Sequence, residues 1–312
     1  MVVINVCLIW LFYTLLMSNI NYKWGKRNNK LFCGIFGFSG PDPCDVDKLK
    51  ILALWNSMER GEDATGIYSP RNGLKKNTTK GAEFILSKDP AEQILQDTLI
   101  MGHVRSATVG NNTVKNAHPF HRENCVLLHN GTLKNHYALL RKYKLPYTDY
   151  SVDSDIICGI MGQTKNFDVL KEIDGAAAML IHDTRTPELL YVFKKGVTST
   201  GTERTLYKGY IGLNMYISSI SEALELIGCE KIKSFKDNCL YTIKNGSVIN
   251  SVRKIKNIPY AEPKTTISNN SVSHFLKYGK ANGCWLRANQ SITFETSDDS
   301  FFSMIEGRYY RV

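Results

Sequence analysis

Six short segments of the 312-residue chain hold side chains whose types and spacing could do chemistry. CGIFGFSG at 33–40 puts a thiol, Cys33, ahead of a glycine that lets a ligand or backbone approach the sulfur. Taken alone, Cys33 reads equally as a buried core cysteine. RGEDATGI at 60–67 offers Arg60 and Asp63, which alone would be a local ion pair beside turn glycines. GHVRSAT at 102–108 sets His103 and Arg105 two residues apart, on one side of a strand, with Thr108 beyond them. NAHPF at 116–120 is a polar turn containing His118. LLHNGTLKN at 127–135 carries Asn130-Gly131 after an apolar strand, which alone is an ordinary hairpin turn. VDSDII at 152–157 places Asp153 just before a helix, where a carboxylate caps free backbone N–H groups.

Strands and helices must position these side chains. Residues 33–38 alternate apolar and small residues, as a buried strand would. Residues 47–60 space Leu49, Leu52, Trp55 and Met58 close to a helical period. Residues 66–68 read as a strand entering a Pro-Arg-Asn-Gly turn, and 90–98 as a short helix. Strands are expected over 99–109 and 124–129, and helices over 135–143 and 154–162. Residues 176–182 and 189–194 form a hairpin-like pair, 211–218 reads as one strand, and 221–227 as a helix. CLYTIKNGSV at 239–248 shows strand, Asn-Gly turn, strand. Residues 257–273 have linker composition, and two apolar runs around Ser-Asp-Asp near the C-terminus suggest a small hairpin. Many strands with interspersed helices point to a layered α+β domain.

In this order the six segments resemble the class II glutamine amidotransferase domain of the N-terminal-nucleophile hydrolase type. The family pattern runs C-G-I-x-G, R-G-x-D-x-x-G, G-H-x-R-x-x-T, an A-x-P turn, H-N-G-x-[IL]-x-N and D-[ST]-[DE], and every part is present. ISSISEALELIG at 217–228 also resembles the family's serine-containing strand and following helix. The resemblance covers residues 33–248. It implies a four-layer αββα sandwich of two mostly antiparallel sheets. It implies Cys33 as nucleophile, Asn130 and Gly131 as oxyanion hole, and Arg105, Asp153 and Thr108 as substrate-binding residues. Arg60, Asp63, His103 and His118 take supporting roles. L-glutamine is the implied substrate, and no cofactor or metal is required.

The residue types suit that chemistry. Carboxamide hydrolysis needs a nucleophile, a base, an oxyanion hole and a hold on the substrate. In the family the cysteine is the first residue of the mature chain, and its α-amine relays the proton. An α-amine has a pKa of about 7.7–8.0, so it acts as a base near neutrality where lysine does not. Arg105 can grip an α-carboxylate bidentately and Asp153 can pair with an α-ammonium, charges complementary to the amino-acid end of glutamine. A γ-glutamyl amide carries the same end and remains the enzymatic alternative. His118, His121, Cys125 and His129 are zinc-ligand residue types within 12 positions, but their spacing matches no common zinc pattern.

Two positions depart from the family pattern. Cys33 follows 32 other residues, so either the chain is cut after Phe32 or its start lies nearer. If residues 1–32 are retained, the nitrogen of Cys33 is an amide and not a base, which leaves a non-catalytic regulatory module as the alternative. Ser106 stands after Arg105 where the family carries an aromatic residue, which predicts a more open site or a lid from elsewhere.

Composition narrows the remaining choices. The net charge of +10 divides into +4 in residues 1–32, +2 in 33–248 and +4 in 249–312. A nucleic-acid binder would concentrate its charge on the folded domain, so none is expected as a partner. Eight cysteines without a C-x-x-C argue against a zinc ribbon or a disulfide scaffold. Residues 1–17 are almost wholly apolar, slightly short for a transmembrane helix, and lack the basic start of a signal peptide. The expectation is a cytoplasmic protein, or a membrane-anchored one if 1–17 is retained. The 64 residues after 248 are too few for the family's synthase domains, so ammonia would pass to a separate synthase subunit. Three parts result: a head, 1–32; the glutaminase domain, 33–248; and a linker with a small basic extension, 249–312.

Overall fold

The structure, a computed structural model, describes residues 33–61, 63–86, 96–106, 112–150, 152–196 and 204–253, and three strands between 292 and 311. The expected head 1–32, Thr108 and the linker 257–273 lie outside the described residues.

The chain divides into two compact units, Met1–Tyr260 and Ala261–Val312. In the first, β1 (Gly34–Ser39), β2 (Ala64–Ser69), β3 (Gly73–Asn77), β4 (Leu99–Arg105), β9 (Tyr207–Ile211), β10 (Asn214–Ser218) and β11 (Glu230–Ser234) form one sheet. Its order is β11-β9-β10-β1-β4-β2-β3. A second sheet holds β5 (Phe120–Arg122), β6 (Cys125–Gly131), β7 (Ala177–Asp183), β8 (Leu189–Lys195), β12 (Cys239–Lys244) and β13 (Ser247–Arg253). Its order is β13-β12-β8-β7-β6-β5. Every neighbouring pair in both sheets is antiparallel.

Side-chain alternation builds the layers. Ile35 and Met101 of the first sheet meet Val126, Leu128, Leu180 and Val192 of the second in one core. Phe36 and Phe38 turn the other way, on to α1 (Val46–Arg60) and α5 (Ser221–Leu226), through Leu49, Leu52 and Leu224. Leu127, Met179, Ile181 and Phe193 pack outwards against α3 (His136–Lys142) and α4 (Asp153–Thr164). The result is the expected αββα sandwich. Central strands with both faces covered must be apolar throughout, which is why 34–38 reads as a continuous apolar and small run. Gly102 sits opposite Phe36 in register, and a Cβ there would come within 2.1 Å of the phenyl ring.

Asp45 caps α1, its Oδ1 accepting from the backbone N–H groups of Asp47 (3.1 Å) and Lys48 (3.3 Å). The turn Asn245-Gly246 has φ of 46° and 77°, the left-handed pair a tight hairpin needs. The single strand expected over 211–218 is instead a hairpin, β9 and β10, turning at Gly212 with φ 60°. Of the helix expected over 90–98, only 96–98 is described, and it is turn; residues 90–95 lie outside the described residues, and α2 (Gly81–Leu86) is a helix not expected from the sequence. The second unit contains an antiparallel meander, β14 (Ile292–Glu295), β15 (Phe301–Ile305) and β16 (Arg308–Arg311), one strand more than the expected hairpin.

Candidate active site

Cys33 immediately precedes β1, at the strand end where the two sheets face each other. Its Sγ donates to the carbonyl of Ser106 at 3.6 Å. Its own carbonyl accepts from Nδ2 of Asn130 at 2.6 Å. Asn130 lies on β6, so this bond bridges the sheets beside the thiol. Burial pushes the Cys33 thiol above its ordinary range, Asp153 adds to this, and the cations Arg105 and Arg204 oppose it. A cleft of about 400 Å³, open to solvent, is lined by Cys33, Arg105, Gly131, His118, Asp153 and their neighbours.

The charges in this cleft are opposite and fixed. Arg105 ends β4 and is 5% exposed. On β4, Met101 belongs to the inter-sheet core, so His103 and Arg105 share that face, as their spacing predicts. Asp153 opens α4, but the N-cap position is Val152, which makes no side-chain cap bond. The Asp153 carboxylate reaches across instead. Its Oδ2 accepts from the N–H of Leu133 at 2.9 Å, and its Oδ1 accepts from the N–H of Ser154 at 2.8 Å. That contact locks the turn after Gly131 to the start of α4. Gly131 itself has no room for a side chain: a Cβ would lie 2.3 Å from the carbonyl of Ala176.

The R-G-x-D-x-x-G segment works from behind the cleft. Arg60 Nη2 donates to Oγ1 of Thr205 (2.9 Å) and to the carbonyl of Ser219 (3.3 Å). Ser219 in turn holds the start of β1, its Oγ accepting from the N–H of Ile35 at 2.9 Å and its N–H donating to the carbonyl of Ile35 at 2.8 Å. Asp63 contributes its backbone, its N–H donating to the carbonyl of Arg105 at 3.0 Å. A Cβ on Gly61 would sit 2.5 Å from that same carbonyl, and one on Gly66 would sit 2.0 Å from the carbonyl of His118. The two glycines are therefore spacers that let the Arg105 and His118 backbones close in.

Three histidines stand beside the cleft. His103 and His118 stack with ring centroids 4.1 Å apart. Nε2 of His103 lies 3.3 Å from the carbonyl of His129, and Nδ1 of His129 lies 2.9 Å from Oγ of Ser154. Burial holds His103 down to about 3, drives His118 well below the ordinary histidine range, and lowers His129. All three are neutral imidazoles near pH 7. His121, by contrast, is exposed, with Nε2 placed 3.0 Å from the carbonyl of Glu123.

The cleft thus gathers Cys33, Arg105, His118, Gly131 and Asp153, with Asn130 bonded to Cys33. Arg60, Asp63 and His103 lie outside the lining and act on its framework. Sequence reading alone does not find Asn116, Thr132 and Ser154 in the lining, or Arg204 near the thiol. Arg204 sits in no motif, about 170 positions from Cys33, and no spacing signal marks it. The lining contains no Phe, Tyr or Trp among the described residues, in keeping with Ser106 at the position after Arg105.

Fold and cleft resemble those of class II glutamine amidotransferase domains, and comparison with known proteins finds the same likeness. Residues 77–186 match the family described as glutamine amidotransferases class-II. The amidophosphoribosyltransferase of Archaeoglobus fulgidus is 24% identical over 224 residues, covering 69% of this chain and 49% of that protein. The glutamine–fructose-6-phosphate aminotransferase (isomerizing) of Oceanobacillus iheyensis is 28% identical over 175 residues, covering 52% of this chain and 29% of that one. The solved glutamine phosphoribosylpyrophosphate amidotransferase of B. subtilis shares the fold with a TM-score of 0.57 at 20% identity, over 71% of this chain and 49% of that one. Over these residues the chain is similar to class II glutamine amidotransferases. It spans about half the length of the amidophosphoribosyltransferases it matches.

Among the described residues no helix is long and apolar enough to cross a membrane.

Proposed function

We propose that residues 33–248 hydrolyse the side-chain amide of L-glutamine to glutamate and ammonia, with Cys33 as nucleophile. The observation that carries this reading is the convergence of the Cys33 thiol and an opposite-charge pair on one cleft, with the buried amide of Asn130 bonded to Cys33. Arg105 binds the α-carboxylate and Asp153 the α-ammonium, which sets the side chain of glutamine towards Sγ. The family resemblance adds Thr108 to the substrate-binding residues. The thiol loses its proton and Sγ attacks the carboxamide carbon, forming a C–S bond and an oxyanion. The second hydrogen of Asn130 Nδ2 and the N–H of Gly131 stabilise that oxyanion, each worth roughly 3 kcal/mol of barrier. Collapse breaks the C–N bond, the relayed proton leaves with ammonia, and water cleaves the glutamyl thioester.

The proton relay falls to the α-amine of Cys33, which exists only once the bond between Phe32 and Cys33 is cut. The intact chain is accordingly a precursor in this reading. Released ammonia passes to a synthase that is not part of residues 33–248.

N-terminal sequencing and a glutaminase assay on the same sample test the reading. A chain beginning at Cys33 should release ammonia from glutamine, and Cys33→Ala should abolish that release. Unchanged release from Cys33→Ala would remove Cys33 as the nucleophile.

A further inference from the structure

One charged side chain outside the motifs holds up one wall of the cleft. Lys76 sits on β3, opposite Gly66 of β2 in register. Its Nζ donates to the carbonyls of Ala117 (2.7 Å) and Pro119 (3.2 Å) and lies 5.1 Å from the ring centroid of Phe120. The carbonyl between them, that of His118, packs on Gly66, where a Cβ would come within 2.0 Å. Three successive carbonyls of residues 117–119 therefore rest on the β2–β3 hairpin. The same turn presents Asn116 and His118 to the cleft, beside Cys33 and Arg105. Within the turn the carbonyl of Thr113 accepts from the N–H of Asn116 at 3.0 Å, and the His118 ring stacks on His103.

We infer that Lys76 is a positioning residue for the substrate cleft, a cation that clamps the 117–119 backbone and so sets where His118 and Asn116 meet the amino-acid end of glutamine. The inference rests on the glutamine reading of the cleft and adds a residue that no motif contains. Lysine suits the task physically. An ammonium has several donors on a flexible stem, so one group can serve two carbonyls that point the same way. Charge-assisted bonds are also stronger than neutral ones, and here they are half-shielded from water. Burial lowers the Lys76 pKa, consistent with that shielding.

The test uses the full chain and needs no turnover. Alkylation of Cys33 by iodoacetamide is followed by mass spectrometry of the Cys33 peptide, with and without glutamine. The glutamine concentration giving half-protection reports the cleft, and the unprotected rate reports the thiol. For Lys76→Met the half-protecting concentration should rise roughly ten- to a hundred-fold, since a misplaced wall costs binding without touching the nucleophile. The unprotected alkylation rate should stay within twofold, and Lys76→Arg should restore protection. Lys76→Gln, which keeps a donor and loses the charge, is read in the same way if Lys76→Met does not fold. Wild-type protection in Lys76→Met or Lys76→Gln would overturn the inference. A parallel loss of protection and of the unprotected rate would overturn it too, because that is a purely structural defect. Absence of protection in the wild-type chain would refute the glutamine reading, and the inference with it, a different result from either of those.

Discussion

The three histidines beside the cleft predict a steep loss of stability in mild acid. His103, His118 and His129 are buried and neutral, with pKa values below the ordinary histidine value of about 6.5. The charged and titratable groups around them are Arg105, Lys76, Arg204 and Asp153. A group whose pKa is depressed on folding contributes its full stability above the unfolded value and loses it as pH falls through the window below. For His103 that window runs from about 6.5 to about 3. Between pH 6.0 and 5.0 an unfolded histidine is on average about nine-tenths protonated, while buried His103 binds almost no proton. Each proton difference changes stability by about 1.4 kcal/mol per pH unit, so His103 alone costs about 1.2 kcal/mol over that step. His118 and His129 add in the same direction. At about 2–4 °C per kcal/mol for a domain of this size, His103 alone should lower the midpoint by roughly 2–5 °C. Thermal denaturation at pH 7.0, 6.0 and 5.0 reads this directly. His118→Gln removes one titrating site and should shrink the shift between pH 6.0 and 5.0, whatever its effect at pH 7.0. A wild-type midpoint unchanged between pH 6.0 and 5.0 would refute the reasoning, since the histidines would then titrate alike in both states. Carboxylates with lowered pKa, such as Asp45 and Asp183, lose their contribution mostly below pH 5 and so do not confuse the step between pH 6.0 and 5.0.

Two further substitutions separate chemistry from framework. Asn130→Ala should lower kcat for ammonia release by about 10²–10³-fold with little change in KM, the pattern for a group that meets the substrate only as the oxyanion forms; a loss confined to KM would contradict that role. Gly66→Ala places a methyl group within 2.0 Å of the His118 carbonyl and should destabilise the domain by about 1–3 kcal/mol, read as a lower urea midpoint. An unshifted midpoint there would show that the turn can move away freely.

Different kinds of element were legible to different degrees. The run at 34–38 and the helix at α1 could be read because each repeats one pattern over enough residues to stand out. The short edge strands β3, β5 and β11 carry no such pattern, since an edge strand contributes few residues to the core. β9 escaped for another reason. YKGYIGLNMYIS has apolar residues on both sides of Gly212, and only the left-handed φ of that glycine divides it into two strands. Asp153 shows the limit at a single residue. Its place at a helix start was legible, but its bond to Leu133 crosses to a segment 20 positions away.

The sequence by itself determined the order of the six segments and the chemical types at Cys33, Arg105, Asn130 and Asp153, because reactive and charged groups are properties of residues. Only the tertiary structure decided which of them share a cleft and what holds them there. Stacking two sheets brings Asn130 to Cys33, Arg204 near the same thiol and Lys76 under the 117–119 turn. Those contacts join residues from about 40 to 170 positions apart. Local periodicity cannot encode such separations, which arise when the burial of Ile35, Leu128 and Leu180 fixes the sheets face to face.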